Sequence, residues 1–263
     1  MTDYNAIKAV NFSTLKHMER SPKHYRHGLE NPPPDSDVFR FGRALHCHVL
    51  EPLEFPARFV TWEGGRRYGK AWDAFQAENA GLDILTVKDM DQILRIGESI
   101  WTDPVCSAWL DGMRHVEHVL TWTDAETGIE CKGRCDLVSG AGILTDLKTA
   151  RDSEPGAMAR SAARYGYAAQ IAFYLDGAQA MGLPVCGAAI LAVEKSAPYD
   201  CGVLVLDDIA LDAGRSHYRA LLRQLARCLD TDSWPGCYAG THQTLALPSW
   251  APGMDEDFTI EEF

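Results

Sequence analysis

The chain has 263 residues, with 25 Lys+Arg against 37 Asp+Glu and a formal net charge of −12. That length allows one large domain or two small ones, and 46% hydrophobic against 24% charged residues excludes wholesale disorder. The acidity excludes a protein that coats nucleic acid through a uniformly basic surface, but leaves room for a local basic channel.

In chain order, Ser13 reads as the cap of a helix through about Arg20, ended by Ser21-Pro22. Asn31 to Pro34 is a stiff loop. Ser36 or Asp37 opens a helix that stops before Pro52, and residues 53–67 read as a loop rich in Arg and Gly. Tyr68 to Ala80 reads as helix. Thr86 caps another through Trp101, with an apolar stripe of Ile93, Leu94, Ile96, Gly97 and Ile100. Residues 115–122 and 129–138 then form a hairpin about the turn at 124–128, and 143–149 is a third strand. Helices are expected over 154–164 and 166–181, strands at 187–194 and 201–206, and a long helix at about 208–229. This order predicts an α/β fold, a central mixed sheet of about five strands flanked by helices, forming one domain over 1–250. The last 13 residues hold Asp255, Glu256, Asp257, Glu261 and Glu262 with no Lys or Arg, so residues 251–263 read as a loose acidic tail.

No apolar run of 18 residues exists, so no transmembrane helix is expected. The N-terminal segment lacks a basic stretch followed by an apolar core, so no secretory signal is expected. The 8 cysteines are scattered, which reads as reduced thiols in a cytoplasm. Cys131 and Cys135 would lie about 13 Å apart on a strand, and no CxxC pair occurs. A zinc or iron–sulfur centre is therefore not expected.

The chemistry concentrates on the second and third strands. Side chains alternate along a strand, so Asp146 and Lys148 share a face while Thr145 and Leu147 point away. Antiparallel pairing across the turn at 139–142 brings Asp136 near Asp146. Two carboxylates and an ammonium on one face make a divalent-metal site for phosphodiester hydrolysis, and hard oxygen ligands favour Mg²⁺ or Mn²⁺. Taken alone, the DxK triplet reads as a salt-bridged surface strand. Three companions shift the balance. His46, one helical turn after Gly42, can supply a third ligand. Gln170 and Tyr174, four apart on a helix, can contact a DNA backbone. Glu117 on the first strand is either a solvated residue or the holder of a metal-bound water.

GxxxH (Gly42 to His46), GRxD (Gly133 to Asp136), DxK (Asp146 to Lys148) and QxxxY (Gln170 to Tyr174) occur in this order. Together they resemble the PD-(D/E)xK nuclease superfamily. The stretches FGRALHCHVLEP, TGIECKGRCDLV, ILTDLKTARD and YGYAAQIAFYLDG are similar to the RecE-like nuclease domain of exonuclease VIII, a likeness that runs from Ser13 to Trp250. The resemblance implies a restriction-endonuclease-like core. It implies a Mg²⁺-dependent 5′-to-3′ exonuclease on linear double-stranded DNA, leaving 3′ tails for a single-strand annealing protein, and a ring-shaped homo-oligomer. It assigns metal ligation to His46, Asp136, Asp146 and the Leu147 carbonyl, and catalysis to Asp136, Asp146 and Lys148. Glu117 becomes an outer acid. Gln170, Tyr174 and Ser13 become DNA contacts. Cys135 stands where the superfamily often has Pro.

Basic residues cluster in three places: the N-terminal segment, the loop with Arg58, Arg66, Arg67 and Lys70, and the stripe Arg215, Arg219, Arg223 and Arg227. The stripe reads as a solvated face, a tail anchor or a phosphate-tracking wall. Arg160 and Arg164 follow the catalytic strand and are candidate phosphate contacts. The alternatives to the exonuclease are an endonuclease or single-strand nuclease of the same superfamily, and a catalytically inert DNA clamp.

Overall fold

The computed structural model describes residues 4–251. Its centre is a five-stranded sheet in the order β3 (Met113–Thr123), β4 (Glu130–Ser139), β5 (Ile143–Ala150), β6 (Gly187–Glu194) and β7 (Cys201–Val205). β5 and β6 run parallel and the other neighbours antiparallel. The parallel pair needs a long crossover, which α8 (Pro155–Tyr165) and α9 (Tyr167–Ala180) supply.

Two apolar clusters cover the sheet. One joins α1 (Phe12–Leu15), α2 (Pro22–Glu30), α9 and α10 (Asp208–Thr231) through Phe12, Tyr25, Phe173, Tyr218 and Leu222. The other joins α3 (Asp37–Leu50) and α6 (Val87–Thr102) through Leu45, Ile93, Ile96 and Ile100, with Leu137, Leu147 and Leu191 beneath them. The mixed sheet of about five strands flanked by helices is thus present as expected from the order of elements.

Local chemistry sets the helix starts. Ser36 caps α3 by accepting the Phe39 amide. Thr86 and Asp89 form a reciprocal capping box at α6. The N-terminal helix starts elsewhere than expected. Asn11, not Ser13, caps α1, and Ser13 donates its hydroxyl to Asn11 Oδ1 at 2.8 Å. α1 is one turn long and continues as a 3-10 turn over Lys16–Glu19. Ser21 then caps α2, with Pro22 in its first turn, where a missing N–H does no harm. Similarly, Asp103 does more than end α6: it caps α7 (Pro104–Asp111).

The 53–67 stretch is not all loop. It holds α4 (Phe55–Arg58) and β1 (Phe59–Trp62), and β1 pairs in parallel with β2 (Asp83–Thr86). Four-residue strands carry too little alternation to stand out in sequence. α5 (Lys70–Glu78) links the two strands of this small sheet.

Three arginines of the stripe on α10 are ion-paired within the fold. Arg215 and Arg219 both meet Asp176 of α9 at 2.9 Å, and Arg223 meets Glu126 at 3.1 Å. The acidic tail beyond Ala251 lies outside the described residues. Among the described residues no helix is long and apolar enough to cross a membrane.

Candidate active site

β4 and β5 pair only at Leu137↔Thr145 and Val138↔Leu144. The next pair in that register is Asp136 and Asp146, at the point where the strands part. Asp136 fills the gap with its side chain, whose Oδ2 accepts the Leu147 amide at 2.7 Å. A backbone donor that lost its ladder partner is thereby satisfied, and the carboxylate is fixed in place. Beyond the fork, the N-terminal segment takes over the free edge of β4. The Val10 amide donates to the Glu130 carbonyl, and the Lys132 amide donates to the Val10 carbonyl.

The fork floors a cleft of about 580 Å³ lined by His46, Glu117, Asp136, Asp146, Lys148, Gln170 and Tyr174, among others. His46 Nδ1 lies 3.5 Å from Asp136 Oδ2 and 3.8 Å from Glu117 Oε1. One ligand atom from each of the three falls within 4.8 Å of the others. Glu117 faces Asp136 across β3 and β4, between the pairs Val116↔Leu137 and His118↔Cys135. It has φ 47°, a left-handed backbone on a strand. Such a conformation costs about 1–3 kcal/mol and persists where the surroundings impose it.

Asp146 and Lys148 face α9, as alternation requires. Lys148 Nζ sits 2.6 Å from Asp146 Oδ2 and donates to Gln170 Oε1 at 3.1 Å. Gln170 Nε2 in turn donates to the Tyr174 hydroxyl at 3.2 Å. The QxxxY pair thus holds the lysine from behind. Tyr174 fits because Gly133 has no side chain: a Cβ there would meet the tyrosine ring at 2.7 Å. On the opposite sheet face, Thr145 accepts the Trp109 indole N–H at 2.9 Å and Leu147 is buried.

Burial and neighbouring charge pull these groups apart. Burial opposes the charge of His46, but Asp136 and Glu117 outweigh it and raise its pKa to about 10. Burial would raise Asp136, yet His46 and Lys148 hold it below the ordinary carboxylate range. For Asp146 burial prevails over the pull of Lys148, and its pKa rises to about 6. Burial works against the Lys148 charge, and Asp146 and Asp136 overcome it and raise the lysine.

This donor set fits a hard divalent cation. It offers one imidazole and several carboxylates. Asp146 Oδ2 is buried and, despite its proximity to Lys148, receives no aligned hydrogen bond from the described residues. Glu117 joins His46 and Asp136 more closely than an outer acid would, while Asp146 stands beside this triplet rather than within it. Leu147 contributes its N–H to Asp136.

Ser13, Arg160 and Arg164 do not line the cleft. Ser13 is exposed on α1, and Arg160 and Arg164 are exposed on α8. Sequence reasoning missed Arg134 and Tyr4. Arg134 Nε lies 2.8 Å from Glu117 Oε2, and its guanidinium stands 5.5 Å from the Tyr4 ring. Arg134 was recoverable from alternation, since it shares a strand face with Asp136 two residues on. Tyr4 carries no such signal. Its carbonyl and that of Ile7 accept the buried Lys132 ammonium at 2.9 and 2.8 Å.

Residues 11–246 match a family described as "PDDEXK-like domain of unknown function (DUF3799)". Among solved structures, a protein from Eubacterium rectale, provisionally named an exonuclease, is similar at a TM-score of 0.62 and 14% identity. The match covers 92% of this chain and 91% of that one, and at this identity it speaks for the fold alone. A phage-related exonuclease from Haemophilus somnus 129PT is 14% identical over 88% of this chain and 100% of that one. Its TM-score of 0.35 carries no structural argument. No curated protein matches the sequence.

Proposed function

Because the chain belongs to the family of PDDEXK-like domains, we propose that it is a nuclease, and specifically a Mg²⁺-dependent 5′-to-3′ exonuclease on linear double-stranded DNA. The observation that carries the nuclease reading is the fork. Asp136 and Asp146 meet Lys148, His46 and Glu117 at the floor of one open cleft. His46, Glu117, Asp136 and Asp146 would hold the ion, with Mn²⁺ as a substitute and the Leu147 carbonyl as a further candidate ligand. When bound, such an ion supplies Lewis-acid neutralisation at the scissile phosphate.

The chain's own residues do the rest. Lys148 keeps its proton, held between Asp146 and Gln170, and offers an ammonium to an attacking water or to the developing phosphate charge. Tyr174 and Gln170 fix the direction of that ammonium. Arg134 and Arg43 line the cleft wall, Arg134 paired with Glu117 and Arg43 held by Asp35 and Asp83. Gly42 leaves open space on α3 one turn before His46, which suits the close approach of a sugar–phosphate backbone.

Polarity, 3′ tails, an annealing partner, a ring of subunits and a DNA contact by Ser13 rest on the likeness to RecE-type enzymes; phosphate contacts by Arg160 and Arg164 rest on their place after the catalytic strand, and a cytoplasmic location rests on the scattered cysteines. The deciding experiment is digestion of linear duplex labelled at the 5′ or the 3′ end, with and without Mg²⁺, beside a closed circular duplex. The reading expects metal-dependent loss of the 5′ label and an intact circle. A linearised circle would replace the exonuclease by an endonuclease. Tight DNA binding without hydrolysis in either metal would leave an inert clamp.

A further inference from the structure

We propose a second metal site, remote from the cleft, in which Asp103, Cys106 and Cys201 bind one zinc ion. The two cysteines are 95 residues apart in sequence, yet their sulfurs lie 3.8 Å apart. Two thiolates about 2.3 Å from a tetrahedral zinc stand roughly 3.8 Å from each other. A disulfide would need them at about 2.05 Å.

The Asp103 carboxylate is the third member, and the three ligand atoms lie within 4.8 Å of one another. Its position is built, not incidental. As the cap of α7, Asp103 Oδ1 accepts the amides of Val105 at 3.0 Å and Cys106 at 2.7 Å. That bonding fixes the carboxylate over the first turn, where Cys106 also projects. Cys201, the first residue of β7, closes the site from the sheet and touches the Ser99 carbonyl at 3.6 Å and the Ser99 hydroxyl at 3.8 Å.

Cys106 is fully buried, whereas Asp103 and Cys201 are half-buried. An ion can therefore enter from the solvent side, and water can take the fourth position. None of the three lines the catalytic cleft. Soft thiolates select zinc over the hard magnesium suited to the cleft. Loading releases both thiol protons as one dication enters, so the net charge of the site does not change.

The zinc is a brace. It ties α7 to β7, and α7 holds β5 through the bond from Trp109 to Thr145, the residue before Asp146. The site thus supports the catalytic strand from its opposite face.

The test uses the full chain, stripped of metal under reducing conditions and loaded with Co²⁺ or Zn²⁺ in the presence of excess Mg²⁺. One equivalent of zinc should survive gel filtration. The cobalt form should show a thiolate-to-metal charge-transfer band in the near ultraviolet. Both features should persist in Asp136→Asn, which disables the cleft site, and vanish in Cys201→Ser. Asp103→Asn retains an oxygen for the cap, so it should fold. Losing a ligand should weaken metal binding by more than the roughly 10–100-fold typical of an outer-shell partner. The proposal is overturned if the cobalt band is absent, or if the partly exposed Cys201 alkylates equally with and without zinc. Recovery of the pair as a disulfide from reducing buffer would also overturn it.

Discussion

At the scale of single residues, His46 shows how strongly a local charge environment can redefine a side chain. In the metal-free protein Asp136 and Glu117 keep it protonated up to about pH 10, against the effect of burial. The folded pKa lies above the unfolded one, so the pairing stabilises the fold fully below about pH 6.5 and fades as pH rises through about 10. In the proposed role of metal ligand His46 must be neutral, so ion binding would have to expel this proton. Magnesium or manganese affinity should therefore climb as pH rises from about 6.5 toward 10. Calorimetry at pH 8 in two buffers of different ionisation enthalpy should show close to one proton released per ion. Equal heats in the two buffers would contradict a protonated His46. Lys148 makes a separate prediction. Lys148→Ala should lower the rate of cleavage by roughly 10²–10³-fold or more, the scale of losing one charge-stabilising donor. Metal affinity measured by the same calorimetry should change far less. Comparable losses of both would make Lys148 a scaffold for Asp146 instead.

At the scale of elements, two glycines separate packing from access. Gly214 of α10 lies against the backbone of α9, where a Cβ would meet the Ala168 carbonyl oxygen at 2.3 Å. Backbone cannot rotate away as a side chain can. Gly214→Ala should therefore force the helices apart and lower stability by about 1–3 kcal/mol in denaturant melts. Gly42 is the opposite case, since a Cβ there meets nothing within 4 Å. Gly42→Ala should hold or raise stability by up to about 1 kcal/mol, because alanine favours a helix interior. If the cleft wall approaches DNA at this point, KM should rise all the same. An unchanged KM would place the substrate elsewhere. β3 to β6 and the long helices were legible in the sequence because their periodicity is sustained over eight or more residues. β1, β2 and α4 were not, as four-residue elements carry too few residues to establish a period. Ser13 failed as a cap for a different reason: Asn11, two residues earlier, is an equally good capping residue, and only the backbone decides between them.

At the scale of the whole molecule, charge is distributed differently from the impression left by runs of like residues. Arg215, Arg219, Arg223 and Arg227 form a cationic stripe in the sequence. In the fold the first three are matched by Asp176 and Glu126 from other elements. Each phosphate-neutralising cation adds about 0.9 to the slope of log affinity against log salt on duplex DNA. Arg223→Ala should leave that slope unchanged and, as a surface pair, alter stability by less than about 1 kcal/mol. Arg134 is paired with Glu117 in the metal-free protein and would be released toward phosphate when Glu117 turns to a bound ion, so Arg134→Ala should reduce the slope by about 1 in the presence of Mg²⁺. The reverse pattern, read from binding isotherms across a salt series, would move the DNA path onto α10.

The sequence by itself determined the order of the five central strands and the long helices, the mixed sheet those strands form and most of the chemistry of the cleft. Alternation and helical spacing are local rules, and they place Asp146 with Lys148 and Gln170 with Tyr174 without reference to the rest of the chain. The tertiary structure decided which of these groups meet. It parted β4 from β5 at Asp136 and turned Glu117 inward through a left-handed backbone. It brought Arg134 and Tyr4 to the rim. It joined Asp103 and Cys106 to a cysteine 95 residues away. Those contacts depend on where strands diverge and which faces pack together, and both are settled by burying the two apolar clusters around one sheet.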